Sequence, residues 1–126
     1  MRRMTTIPAM TLLIAVLASA RGGAPSTAAQ LTIPVAPSNL TATATSTSSM
    51  YLAWTDNSDN EEWFKIEQCQ GLGCTDFAVV GYIYIGGTNA TITNLAKNKT
   101  YTYRVRASNA AGDSDYSNTA AATTLR

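Results

Sequence analysis

Residues 95–117 read LAKNKTYTYRVRASNAAGDSDYS, and the middle of this stretch decides the fold. Tyr101, Tyr103, Val105 and Ala107 alternate with Thr102, Arg104, Arg106 and Ser108, the two-residue period of a strand with one buried face and one wet face. The rest of the chain reads as strands laid around this one. Upstream, Met50, Leu52 and Trp54 alternate with Tyr51, Ala53 and Thr55, which places Trp54 on an apolar face as a core anchor. Before that, Pro34 and Pro37 bracket the entry to a first strand, Asn39 to Thr45, with Leu40 and Ala42 inward. Proline suits the start of an edge strand because it has no ladder N–H to lose.

Phe64 and Ile66 continue the core in a third strand, whose other face carries Trp63, Lys65, Glu67 and Cys69. Strand-like residues resume near Cys74 and run to Ile85, Gly86 and Gly87 break the run, and Thr91 to Thr93 form a short strand leading to Leu95. About seven short strands with regular turn signals imply an all-β fold, a seven-stranded antiparallel sandwich of two sheets.

Composition agrees. Charged residues make up 13% of the 126, too few to supply amphipathic helices, and the length suits one domain. Removing Arg2 and Arg3 from the nine basic residues leaves seven against eight acidic ones, a net charge of −1. Binding to nucleic acid needs a clustered basic surface, so that partner class is not expected.

Arg2 and Arg3 precede an apolar run from Ala9 to Leu17, and Ala18-Ser19-Ala20 supplies the small residues of a cleavage site. Residues 1–20 are therefore expected to be a signal peptide, with a second candidate cut as late as residue 28. A bilayer span takes about 20 apolar residues, so no membrane segment is expected to be retained. Residues 21–33 read as a flexible lead-in and 34–126 as the domain, secreted or displayed at the cell surface. Export places Cys69 and Cys74 in an oxidising compartment, where they can pair. A zinc or redox half-site is the other reading of that spacing, but the chain has no histidine and no third cysteine to complete a metal shell. A disulfide stapling the hairpin is expected, stabilising by about 2 kcal/mol in the chain-entropy picture. No cofactor or metal is expected.

The acidic loop Asp56 to Glu62 invites two further readings. Asp56, Ser58 and Asn60 alternate as in a calcium loop, but Glu61 stands where the sharp turn needs glycine, so an Asx-stabilised turn is expected instead. A carboxylate pair for glycoside hydrolysis needs two acids facing across a cleft, which neighbours on one loop do not provide. Nor does a nucleophile sit beside a visible base, so no catalytic residue is assigned.

With these residues in view, the chain resembles a fibronectin type III domain, of the sort common in secreted bacterial proteins, over roughly Pro37 to Thr124. PSNLTATA and MYLAWTDNS look like the family's first two strands, with Trp54 as the strand B tryptophan, and WFKIEQC looks like strand C. Leu95, six residues before Tyr101, matches the tyrosine corner, in which a phenol oxygen ties to nearby backbone. YRVRASNAAGDSDYSNTAAATT is similar to strands F and G and their loop. The core signature is then Trp54, Phe64, Ile66, Leu95, Tyr101, Tyr103 and Val105. Integrin-binding members carry Arg-Gly-Asp in the F to G loop. Here the loop reads Asn109-Ala110-Ala111-Gly112-Asp113-Ser114, without the arginine.

The resemblance implies a non-catalytic secreted interaction or spacer module, a monomer whose partner is an extracellular protein or polysaccharide. An alternative is a module binding carbohydrate or cell-wall polymer through an outer face containing Trp63, Lys65, Arg104 and Arg106. If strands C and F are neighbours, Trp63 lies near Arg106 and can stack on a sugar, or on the arginine stems instead. A third alternative is a structural protein that self-assembles. Asn39, Asn89 and Asn98 stand in N-x-[ST] sequons open to glycosylation.

Overall fold

The computed structural model describes residues 32–126, and the expected signal peptide and the lead-in through residue 31 lie outside the described residues. Eight strands follow one another: β1 (Ser38–Ala44), β2 (Met50–Thr55), β3 (Trp63–Gln70), β4 (Ala78–Tyr84), β5 (Asn89–Ile92), β6 (Thr100–Asn109), β7 (Gly112–Asp113) and β8 (Ala120–Thr123). They form two antiparallel sheets, one ordered β1-β2-β5 and the other β4-β3-β6-β7, with β8 also paired to β6. The all-β sandwich is the expected architecture, and β6 is its central strand.

Alternation explains the core. Leu40, Met50, Leu52 and Trp54 come from one sheet, and Phe64, Ile66, Tyr101, Tyr103, Val105 and Ala107 from the other, all buried. The Trp54 and Phe64 rings meet across the sandwich at 5.5 Å between centroids with their planes 59° apart, a tilted contact favoured by aromatic quadrupoles. Leu95 packs against this cluster from its edge. The Ala96 N–H donates to Tyr101 Oη at 3.0 Å, so the tyrosine corner pins the loop entering β6. Tyr103 is fully buried, with its hydroxyl donating to Gln68 Oε1 at 2.8 Å, and burial raises its phenol above the ordinary range.

Three expectations need correcting. Eight strands stand where seven were expected, because the last strand is interrupted. Between β7 and β8 the Ser114 hydroxyl accepts from the Ala107 N–H at 2.9 Å, and Ser117 accepts from the Val105 N–H at 3.0 Å. Two serine side chains thus replace ladder carbonyls, and the chain leaves strand geometry between them. The fourth strand starts at Ala78, not near Cys74, because residues 71–77 coil around the disulfide with Gly71 and Gly73 at φ 105° and 75°. The short fifth strand is Asn89–Ile92, beginning two residues before the expected Thr91.

Beside the interrupted strand, Asn118 holds the sandwich edge. Its Oδ1 accepts from the Leu40 N–H at 2.8 Å and its Nδ2 donates to the Leu40 carbonyl at 2.9 Å, imitating a strand partner where the β1 register slips.

Candidate functional site

Cys69, at the penultimate position of β3, is bonded to Cys74, as the spacing suggested. Thr102, its register partner on β6, donates to the Gly71 carbonyl at 2.6 Å and ties the stapled loop to the sheet. In the acidic loop the Asp56 carboxylate accepts from the Ser58 N–H at 3.0 Å, and the Ser58 hydroxyl lies 3.0 Å from the buried Glu61. These contacts make the expected Asx turn. All three sequon asparagines are exposed, Asn39 and Asn98 with left-handed backbone.

The remaining candidates lie on the outer face of the five-stranded sheet. Pairing of β3 with β6 sets Trp63 opposite Ser108, Lys65 opposite Arg106 and Glu67 opposite Arg104. Trp63 is therefore one rung removed from the position beside Arg106 that alternation alone suggested. The aromatic rings that receive the guanidiniums are others. Arg104 lies between Phe77 and Tyr116, 4.0 Å and 3.6 Å from their centroids, and Arg106 covers the Tyr116 ring at 4.3 Å.

At the centre of this stack is Glu67, only 5% exposed. Its Oε1 accepts from Arg104 Nε at 2.9 Å and lies 2.8 Å from a second Arg104 nitrogen, while its Oε2 accepts from the Tyr116 hydroxyl at 2.9 Å and lies 3.6 Å from Arg106. Such a carboxylate is retained in a buried place because it is paired and hydrogen-bonded on both oxygens. The Tyr116 phenol is raised, first by burial and then by the adjacent Glu67 charge it donates to.

Asp113 closes the network from β7. Lys65 reaches it at 3.0 Å, Arg106 at 3.4 Å, and the Ser108 hydroxyl donates to it. Burial by itself pushes the Asp113 carboxyl up, but the hydrogen bonds from Ser108 and Lys65 and the two cations outweigh it and hold the group below its ordinary range. Within this network Arg106 Nε is buried without a hydrogen-bond partner among the described residues.

Sequence reasoning missed Tyr116 and Phe77. Tyr116 lies outside any strand ladder, and is turned outward because Ser114 and Ser117 on either side turn inward. The Ser-x-x-Ser spacing was its only signal.

The outer face thus has two halves. Over β6 and β7 the charges are paired with one another, three cations sharing two carboxylates. Over β4 and the start of β3 the register instead sets Tyr84 beside Trp63 and Tyr82 beside Lys65, with Tyr82 57% and Tyr84 77% exposed. Lys65 extends over β6 to Asp113 on β7, away from Tyr82.

Comparison with known proteins places this geometry. The family model described as fibronectin type III domain matches residues 35–123, well over half the chain. Chitinase A1 of Niallia circulans is 38% identical over 84 residues, a match that takes in 64% of this chain and 10% of that protein. Two crystal structures are similar at greater distance. A set of titin domains superposes with a TM-score of 0.66 at 26% identity, covering 75% of this chain and 33% of that one. The FN5 domain of Drosophila Lar superposes with a TM-score of 0.60 at 20% identity, covering 75% of this chain and 99% of that one, a likeness of fold alone.

Proposed function

Because the chain belongs to the fibronectin type III family, we propose that it acts as a non-catalytic interaction or spacer module outside the cell. The observation that carries this reading is the internal pairing of the outer-face charges. Glu67, Asp113, Lys65, Arg104 and Arg106 are paired with one another, so none is a free acid, base or nucleophile facing a substrate. Location outside the cell is supported by the leader-like residues 1–20 and by the Cys69–Cys74 disulfide, since such bonds persist in oxidising compartments. Among the described residues no helix is long and apolar enough to cross a membrane. The test is to express the full chain with its leader, recover it from the medium, and incubate it with polysaccharide, peptide and ester substrates. Secretion without turnover is expected. Turnover that copurifies with the chain and disappears when it is unfolded would contradict the reading.

A second reading is favoured by one specific observation, the uncovered aromatic half of the outer face. An aromatic ring presented on a rigid sheet can stack on a pyranose ring, and the 38% identical relative is named a chitinase. The module then holds a carbohydrate polymer. Retention on insoluble polysaccharides tests it, and a chain that passes through chitin, cellulose and peptidoglycan columns alike would remove it.

A further inference from the structure

We propose that Tyr84, Trp63 and Tyr82 form a platform for a neutral, linear polysaccharide laid across the β3–β4 edge of the five-stranded sheet, an inference that rests on the carbohydrate reading above. The backbone puts the three rings together. Tyr84 is the register partner of Trp63, and Tyr82 is the register partner of Lys65 one rung along. Side chains opposite each other on neighbouring strands stand about 4.5–5.5 Å apart, and alternate residues along a strand about 6.6 Å apart. The rings therefore make a continuous strip, and because β4 is the edge of its sheet the strip is open on one flank.

What distinguishes the strip is that Tyr82 and Tyr84 are exposed and Trp63 half-buried, with the cation–π contacts of this face made to other rings among the described residues. Arg104 and Arg106 lie over Phe77 and Tyr116, held there by Glu67, and Lys65 is drawn across β6 to Asp113. The aromatic side chains of this face are thus sorted into two sets, one covered by guanidinium and one not. Val79, the register partner of Glu67, extends the set along β4, and β4 carries no charged residue.

The chemistry of the strip selects its ligand. A polyanion needs free cations, and those of this face are engaged with Glu67 and Asp113. A helical partner needs a groove to receive its apolar stripe, whereas a strip along a sheet edge is flat. A neutral polysaccharide needs neither, because it presents apolar C–H faces to the rings and hydroxyls to the two tyrosine hydroxyls at their rims.

The experiment measures retention of the full chain on chitin and cellulose, with heparin as the polyanion, beside sedimentation of the same samples. Retention on the neutral polymers and release by soluble N-acetylglucosamine or glucose oligomers are expected. Tyr84→Ala, at a site exposed enough to leave folding intact, is expected to weaken binding about tenfold, and adding Tyr82→Ala to abolish it. Tyr51→Ala, on the opposite sheet, is expected to bind as the parent does. Retention of the parent with undiminished binding by the Tyr82→Ala, Tyr84→Ala double variant overturns the platform and leaves the carbohydrate reading standing. No retention on either neutral polymer overturns both. Retention on heparin alone, or a strip consumed by Tyr84-dependent self-association of the chain, also overturns the platform.

Discussion

Replacing Glu67 by glutamine removes one charge from the centre of the outer-face network while keeping the side chain's shape. The carboxylate is 5% exposed, meets two nitrogens of Arg104 at 2.9 Å and 2.8 Å, and accepts from the Tyr116 hydroxyl at 2.9 Å. A hydrogen bond to a charged group contributes about 1.5–3 kcal/mol, and an amide cannot accept on both of its ends. Both arginine side chains are 26% exposed, so water recovers part of what the guanidiniums lose. The expected cost of Glu67→Gln is therefore about 2–3 kcal/mol. A domain of this size loses about 4–8 °C in melting temperature per kcal/mol, so the drop is on the order of 10–20 °C. Urea unfolding followed by tryptophan fluorescence measures it. Combining the change with Tyr116→Phe in a double-mutant cycle is expected to return a coupling of about 1 kcal/mol, since the two side chains share a bond. A Glu67→Gln loss below about 0.5 kcal/mol, the range of ordinary surface substitutions, would refute the reasoning.

Other changes follow from the same contacts. Tyr101→Phe deletes the bond from the Ala96 N–H and is expected to cost about 1 kcal/mol in chemical unfolding, with the fold unchanged by circular dichroism. Asn118→Ala strands the Leu40 N–H and carbonyl at a sandwich edge and is expected to cost about 1–3 kcal/mol, with faster hydrogen exchange at Leu40 as its local signature. The folded Asp113 carboxyl titrates below its ordinary 3.8, so its stabilising contribution is complete above that value and is lost as pH falls through the lower folded value. Asp113→Asn should therefore flatten the acid limb of the stability–pH curve. At the other extreme, the Tyr103 and Tyr116 phenols are raised, so they contribute stability that is full below about pH 10 and lost as pH rises. Tyr103→Phe should make alkaline unfolding less steep. Reduction of Cys69–Cys74 is expected to lower stability by about 2 kcal/mol, read as a shift in urea midpoint with and without a reductant.

Much of the sandwich was legible because alternation is a local signal. Tyr101, Tyr103, Val105 and Ala107 announce their burial without reference to any other strand, and so do Met50, Leu52 and Trp54. The pairing of Cys69 with Cys74 was legible for a similar reason, two cysteines close in sequence and no other ligand to compete. Register was not. The one-rung displacement of Trp63 from Arg106 depends on where β3 and β6 align, which is set by the whole sandwich. The start of β4 was misplaced because residues 74–77 have strand-like composition while the glycine-rich stapled loop holds them off the ladder. Tyr116 was hidden from any reading of alternation for a further reason. Its partner Glu67 is 49 residues away, and its outward position comes from two serine hydroxyls bonding to backbone, which no periodicity encodes.

The most direct measurement is a titration of the isotopically labelled chain with a soluble N-acetylglucosamine oligomer, followed by amide and indole NMR shifts. The indole N–H of Trp63 and the amides of β4 and the first residues of β3 should move together and saturate, while those of β1, β2 and β5 stay fixed. Shifts centred on the three-stranded sheet, or a spectrum unchanged at high ligand concentration, would contradict the assignment of binding to the bare aromatic edge.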